Sequence, residues 1–181
     1  MTQPISGQEF VRATVHLAGE VDIETGHSSR YSVEHVQTRL GSALIYLLDF
    51  DATADLVRVA RVGAERARGL FDDDQIACLP VGVLHDGQES SVVMRMRGRQ
   101  TTVTAQAITT AANRYRRPYL TCQVGGLVLV LHDAEAVARL VEVTETSYRV
   151  ASALWPVEAS MAAQAEADEL AERRVRERAG R

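Results

Sequence analysis

The sequence predicts an α+β fold built from two similar units, each a β-hairpin, a buried strand and a helix, followed by a C-terminal helix. Three patterns support this fold class. Some short segments alternate between apolar and polar residues, as half-buried strands do. Two continuous apolar runs are too short to be helices, and the segments after them repeat apolar residues with a helical period. We expect antiparallel sheet covered by the helices on one side.

The two units emerge when the chain is compared with itself. Residues 30–71 match residues 114–155 without a gap at an offset of 84, and 12 of the 42 pairs are identical. Asp49 matches Asp133 in this comparison. Internal duplication explains the match, and the alternative is chance similarity between two strand–helix segments rich in Ala, Val and Leu.

Each unit contains a buried strand that leads into a helix. We expect the strands at residues 43–48 and 127–131, and the helices directly after Asp49 and Asp133. An Asp at this position accepts hydrogen bonds from the unpaired N–H groups of the first helical turn. Small residues within each apolar stripe predict close packing of the helices. The two stripes are Leu56, Val59, Ala60, Gly63, Ala67 and Leu70, and Leu140, Val143, Thr144, Ser147, Ala151 and Leu154.

A β-hairpin is expected before each buried strand. Residues 11–17 and residues 92–97 alternate in polarity, and a glycine follows each segment, at Gly19 and at Gly98. A glycine after a strand is typical of a tight hairpin turn. In the second unit we also expect a short helix within residues 104–115.

The chain is predicted to form a single pseudo-symmetric domain over residues 1–156, with repeat units at about 10–71 and 90–155. Pro156 ends the second helix, because proline cannot continue a helix that precedes it. Residues 157–181 are rich in Ala, Glu and Arg and carry few large apolar side chains. We expect a charged C-terminal helix there, solvated or available to a partner.

Composition excludes several classes of function. All 20 basic residues are arginine, which is typical of a GC-rich genome and leads us to expect a bacterial or phage protein. Without lysine the chain cannot form a Schiff base or use a phosphate-binding lysine. No apolar run is long enough to span a membrane, and we expect no membrane partner. The isolated Cys78 and Cys122 and an N-terminus unlike a signal peptide predict a cytoplasmic protein with reduced thiols.

Charge is segregated along the chain. Residues 1–89 contain 7 Arg and 14 acidic residues, a net charge of −7. Residues 90–132 contain 6 Arg and no acidic residue, a net charge of +6. Residues 133–181 contain 7 Arg and 10 acidic residues, a net charge of −3. The basic middle segment therefore has acidic neighbours on both sides, in the same chain or in a second copy.

The basic segment contains the candidate binding site, which we call the arginine ribbon. In a strand, Arg95, Arg97 and Arg99 would share one face, opposite two methionines. Such a ribbon can contact phosphates, and neighbouring Tyr rings can stack on unpaired bases. The ribbon consists of Arg95, Arg97, Arg99, Arg114, Tyr115, Arg116 and Arg117.

These patterns favour a non-catalytic assembly or adaptor module that self-associates as a homo-oligomer or binds a protein partner. The charge segregation allows the arginine ribbon to bind an acidic protein surface. Nucleic-acid binding through the same arginines is the alternative function.

One motif offers an enzymatic alternative. Asp49, Asp51 and Thr53 follow a buried strand and resemble the first motif of haloacid-dehalogenase-like phosphatases. That resemblance implies that Asp49 is the nucleophile and Asp51 the general acid, with magnesium between them. The family also uses a basic residue, usually lysine, and the chain has none. We therefore favour Asp49 as a helix cap, and we expect no cofactor and no metal, since the His and Cys spacings match no metal site.

Overall fold

Eight strands and three helices are present in the computed structural model, which describes residues 12–28, 34–71, 92–109 and 118–179. The strands form two four-stranded sheets, and the α+β class is confirmed. The elements are β1 (Ala13–Leu17), β2 (Ile23–Ser28), β3 (His35–Leu40), β4 (Ala43–Leu47), α1 (Phe50–Arg66), β5 (Val92–Met96), β6 (Val103–Ile108), β7 (Tyr119–Val124), β8 (Leu127–Leu131), α2 (Ala134–Leu154) and α3 (Pro156–Ala179).

Both expected strand–helix junctions are confirmed. β4 leads into α1 and β8 leads into α2, with Asp49 and Asp133 as the N-caps. The predicted stripes are the buried faces of the two helices, as at Gly63 in α1 and Ser147 in α2. Local sequence is sufficient here because the cap and the helical stripe both lie within the segment that folds.

The first strand of each unit lies in the sheet of the other unit. β1 pairs in parallel with β8, and β5 pairs in parallel with β4. The sheet orders are β1-β8-β7-β6 and β2-β3-β4-β5. The hairpins that we expected at Gly19 and Gly98 therefore do not form. The alternating pattern identifies a strand with one buried face, but it carries no information about which strand pairs with it.

The prediction of a short helix within residues 104–115 is also wrong for the part of this segment that the structure describes. Residues 104–108 belong to β6, which pairs antiparallel with β7. Ala105 is buried while Thr104 and Gln106 are exposed, which is the period of a strand. Residues 110–117 lie outside the described part of the chain.

The helices also cross between the units. α1 packs on β6 and β7, whereas α2 packs on β2 and β3, and the two helices pack on each other. The buried residues of both units form one hydrophobic cluster. The two units are therefore held together by exchanged strands and exchanged helices, and by the contact between α1 and α2.

At Gly63, α1 lies close to strand β7 of the β1-β8-β7-β6 sheet. A Cβ atom on Gly63 would lie 2.7 Å from the Cys122 Sγ atom, so only glycine fits here without movement. The equivalent α2 residue, Ser147, donates or accepts a 2.7 Å hydrogen bond with Thr38, the equivalent of Cys122.

Burial raises the pKa of the Cys122 thiol to about 12. Cys78 lies outside the described residues.

The predicted C-terminal helix is confirmed as α3, and Pro156 is its first residue. Only the start of α3 packs on the core, through Ala159 and Ala162, just after Trp155 at the end of α2. Residues 163–177 of the helix are exposed. None of the helices in the described residues is both long enough and apolar enough to cross a membrane.

Candidate functional site

The arginine ribbon is only partly an element of the sheet. Arg95 lies in β5, an edge strand, and its side chain is exposed. β5 ends at Met96, so Arg97 and Arg99 follow the strand instead of sharing its face. The turn at Gly98, which has φ +64°, ends the strand. The remaining ribbon residues, Arg114, Tyr115, Arg116 and Arg117, lie outside the described part of the chain.

The three described arginines have different surroundings. Arg99 lies 3.7 Å from the Asp51 carboxylate, and both side chains are exposed, so this ion pair is weak. Arg95 and Arg97 are exposed and form no ion pair with another described residue. Arg95 lies beside Tyr46 on the neighbouring strand. Within the described residues, Arg95 and Arg97 therefore have no acidic partner.

Asp49, the residue that resembles a phosphatase nucleophile, binds two backbone groups. Its Oδ1 atom accepts a 2.9 Å hydrogen bond from the Ala52 N–H, which caps α1. Its Oδ2 atom accepts a 2.6 Å hydrogen bond from the Gly98 N–H. Both carboxylate oxygens therefore hold the fold together, and the predicted capping role is confirmed.

Asp133 has the same arrangement in the second unit. Its Oδ1 atom accepts from the Ala136 N–H at 2.8 Å, and its Oδ2 atom accepts from the Gly19 N–H at 2.7 Å. Each aspartate thus joins the start of one helix to the turn after the strand that has crossed from the other unit. Within the described residues, no three His, Cys, Asp or Glu side chains are grouped to hold a metal ion.

A pair of histidines joins the crossed strand β1 to the end of β8. The His16 Nδ1 and His132 Nε2 atoms are 2.9 Å apart. One ring nitrogen must donate and the other accept, so this hydrogen bond requires at least one neutral ring. Burial and the neighbouring His16 lower the pKa of His132. The pair is therefore a hydrogen-bonded contact between the two units.

The centre of the α1–α2 contact is an ion pair between equivalent positions. Arg61 and Glu145 occupy the same place in the two units, and the Arg61 Nε and Glu145 Oε1 atoms are 2.7 Å apart. This hydrogen bond raises the pKa of Arg61 and lowers the pKa of Glu145. Since equivalent residues meet here, the local two-fold axis that relates the units passes between them.

On one side of this axis, an aromatic pair fills the groove between the helices. The rings of Phe50 in α1 and Tyr148 in α2 have centroids 5.3 Å apart. Trp155 and the start of α3 also pack on the hydrophobic core, and α3 contacts both helices. This end of the helix pair is therefore closed by the protein's own side chains.

On the other side of the axis, the same groove is open. Ala134 and Ala64 stand at the positions equivalent to Phe50 and Tyr148. A shallow apolar cleft of about 470 Å³ lies between the end of α1 and the start of α2. We call it the alanine cleft, and its lining consists of Ala64, Ala67, Arg68, Phe71, Ala134, Val137, Ala138, Val141 and Glu142.

The alanine cleft was not predicted from the sequence, although a signal for it exists. The comparison of the two units aligns Ala64 with Tyr148 and Phe50 with Ala134. Two large aromatic residues on one side and two alanines on the other predict a difference in filled volume between two similar sites. Identical pairs reveal the similarity of the two units, whereas these unequal pairs reveal where the two halves differ in packing.

Comparison with known proteins found no matching protein family, no significantly similar curated protein and no significantly similar solved structure.

Proposed function

We propose that this chain is a non-catalytic assembly or adaptor module that binds a protein through the alanine cleft. One observation carries the proposal. The groove that Phe50 and Tyr148 fill on one side of the local axis is left open by Ala134 and Ala64 on the other. The missing rings create room for an apolar side chain from outside the chain.

The character of the alanine cleft favours a protein ligand over a small molecule. Pockets for small molecules enclose most of the ligand, whereas this cleft is shallow. Its floor is apolar and its rim carries Arg68 and Glu142, the arrangement of an apolar centre and polar rim that is typical of protein interfaces. An aromatic side chain buries about 150–250 Å². At about 25 cal/mol per Å², that burial contributes several kcal/mol before the entropy of association is subtracted.

Filling the cleft with the residues of the closed side tests the proposal. The double variant Ala64→Tyr, Ala134→Phe introduces the side chains that stand at the equivalent positions. We expect this variant to fold but not to bind the protein that the wild-type chain captures from its native host. A matched control, Ala153→Tyr with Ala167→Phe, places the same rings at exposed helical sites away from the cleft and should retain that protein. Equal capture by both variants would contradict the proposal.

Nucleic-acid binding remains the second candidate, and exposed arginines support it. Arg95 and Arg97 form no ion pair with a described residue, and Arg95 lies beside Tyr46. If nucleic acid is the ligand, it should co-purify with the protein and be removed by high salt. Replacing Arg95 and Arg97 by Gln should then reduce the salt dependence of binding by about two phosphate contacts. Absence of bound nucleic acid at low salt would exclude this function.

A further inference from the structure

The alanine cleft and helix α3 are both uncovered apolar features of the same chain. We propose that the cleft of one copy receives the first turns of α3 from a second copy, with Val157 and Met161 as the apolar anchors. This proposal rests on the proposed function, because it names the protein that the cleft binds. It also gives α3 a role that its contacts within one chain do not explain.

The exposed apolar residues are concentrated on α3. Val157 and Met161 are 66% and 69% exposed, which is unusual for large apolar side chains. They are four residues apart, so they lie one turn from each other on the same helical face. Anchors at this spacing are the pattern by which a helix binds an apolar groove.

The inner and outer faces of α3 are clearly separated. Ala159 and Ala162 pack on the chain's own core. At 100° per residue, Val157 and Met161 lie about 150° around the helix from that alanine face. A helix that is already seated on one molecule can therefore present its anchors to another.

Charge complementarity selects a second copy. Residues 158–172 of α3 contain five acidic residues and no basic residue. Beside the cleft, Arg68 is exposed and forms no ion pair with a described residue, while the acidic rim residue Glu142 is bound by Arg139 at 3.1 Å. Glu158, next to the first anchor, would approach Arg68 of the other copy. Glu158 in the first turn of α3 and Arg68 on the cleft rim therefore have complementary charges.

The closed end of the helix pair provides an internal precedent for this contact. There, α3 lies against both α1 and α2, and the rings of Phe50 and Tyr148 join these two helices. The groove between these helices therefore accommodates a helix together with large apolar side chains. Within the described residues, the alanine cleft is lined by Phe71 but has no covering helix and no aromatic rings equivalent to Phe50 and Tyr148.

Sedimentation equilibrium of the full chain tests this proposal. We expect a mass above the 19.8 kDa of one chain that rises with concentration. Met161→Glu should weaken the association by more than about tenfold, because it places a charge in an apolar contact. Leu170→Glu, at an exposed α3 position two turns further on, is the matched control and should leave the association unchanged.

Exchanging the charges of Arg68 and Glu158 tests the orientation of α3 in the alanine cleft. Arg68→Glu and Glu158→Arg should each weaken association by about tenfold, and the double exchange should restore it, because only a direct contact is repaired in this way. A mass of 19.8 kDa at every concentration would overturn the proposal, as would association that none of these variants changes.

These outcomes are distinguishable from failure of the proposed function. If the wild-type chain is monomeric but captures a host protein that the Ala64→Tyr, Ala134→Phe variant loses, then the cleft binds a different protein and only the second-copy proposal fails. If filling the cleft changes neither association nor capture, both proposals fail.

Discussion

Asp49 and Gly98 belong to different units, yet the Asp49 Oδ2 atom accepts a 2.6 Å hydrogen bond from the Gly98 N–H. The same carboxylate caps α1 through Oδ1. Asp133 joins the start of α2 to Gly19 in the same way. Each glycine has a positive φ, 64° at Gly98 and 69° at Gly19, a conformation that glycine adopts without strain. Two aspartates thus fix the points where the exchanged strands leave their sheets.

Asp49→Asn should destabilise the fold by about 1–3 kcal/mol, more than the loss of a cap alone. Asn caps helices well, so an isolated cap would tolerate the change. Here both carboxylate oxygens accept from N–H groups, and the Asn side chain has only one oxygen. The NH2 group of Asn would then face the backbone N–H of either Ala52 or Gly98, so two hydrogen-bond donors would meet with no acceptor between them. Urea denaturation measures the change in the free energy of unfolding.

Asp51→Asn is the control for this prediction, because Asp51 is exposed in the first turn and its ion pair with Arg99 is 3.7 Å long. We expect a change below about 0.5 kcal/mol. Equal effects at Asp49 and Asp51 would contradict the bridging role of Asp49.

Gly63→Ala should destabilise the protein by about 1–3 kcal/mol, even though alanine is the better helix former. The new Cβ atom would lie 2.7 Å from the Cys122 Sγ atom and 3.2 Å from Leu120. Combining it with Cys122→Ala removes the sulfur and should recover part of the loss. A double-mutant cycle measures this coupling, and additive effects would show that the two residues do not touch.

The ion pair at the local two-fold axis should tolerate exchange of its partners. Arg61→Glu leaves two acidic residues facing each other and should cost up to about 1 kcal/mol, since both side chains are partly exposed. Adding Glu145→Arg should recover part of the loss, because the ion pair can form again, whereas Glu166 near position 61 and Arg149 near position 145 favour the native arrangement. A double variant no more stable than Arg61→Glu alone would argue against this pairing.

Stability should fall as pH drops below about 6.5, the ordinary pKa of histidine. The pKa of His132 is lowered in the folded state by burial and by His16, so the unfolded chain binds more protons in this range. Folding is therefore weakened from near pH 6.5 down to the folded pKa, by up to about 1.4 kcal/mol per pH unit. Thermal unfolding at a series of pH values measures the slope.

His132→Leu provides the matched variant, because Leu48 stands at the equivalent position of the first unit. We expect this variant to flatten the pH dependence between pH 6.5 and 5, above the range in which carboxylates titrate. An unchanged slope would assign the effect to other groups.

Sequence reasoning located most elements but not their partners. The buried strands β4 and β8, the caps Asp49 and Asp133 and the buried stripes are encoded locally, by periodicity and by the chemistry of helix ends. The strands β3 and β7 were not predicted. The exchange of β1 and β5 depends on contacts between residues more than 30 apart, such as Leu47 opposite Met96. An alternating pattern is compatible with any neighbouring strand that leaves the same face buried. We therefore predicted pairing with the next strand along the chain, as in a hairpin, and that prediction was wrong.

The two candidate binding surfaces, the arginine ribbon and the alanine cleft, were less predictable from the sequence than the helices and strands. The exposure of Arg95 follows from strand alternation, but the Gly98 turn separates Arg99 from it, and that turn depends on a distant carboxylate. The alanine cleft depends on which helices meet, which the sequence pattern does not specify. Only the unequal pairs, such as Ala64 with Tyr148, point to it before the structure is known.

Hydrogen exchange tests the central claim, that the alanine cleft is the docking site, most directly. Exchange would be compared with and without the captured partner, or at high and low concentration if the partner is a second copy. Binding at the cleft predicts slower exchange in residues 64–71 and in the first turns of α2, with residues 92–97 of β5 unchanged. Protection of β5 while both sides of the cleft exchange as before would contradict the account and assign binding to the arginine ribbon.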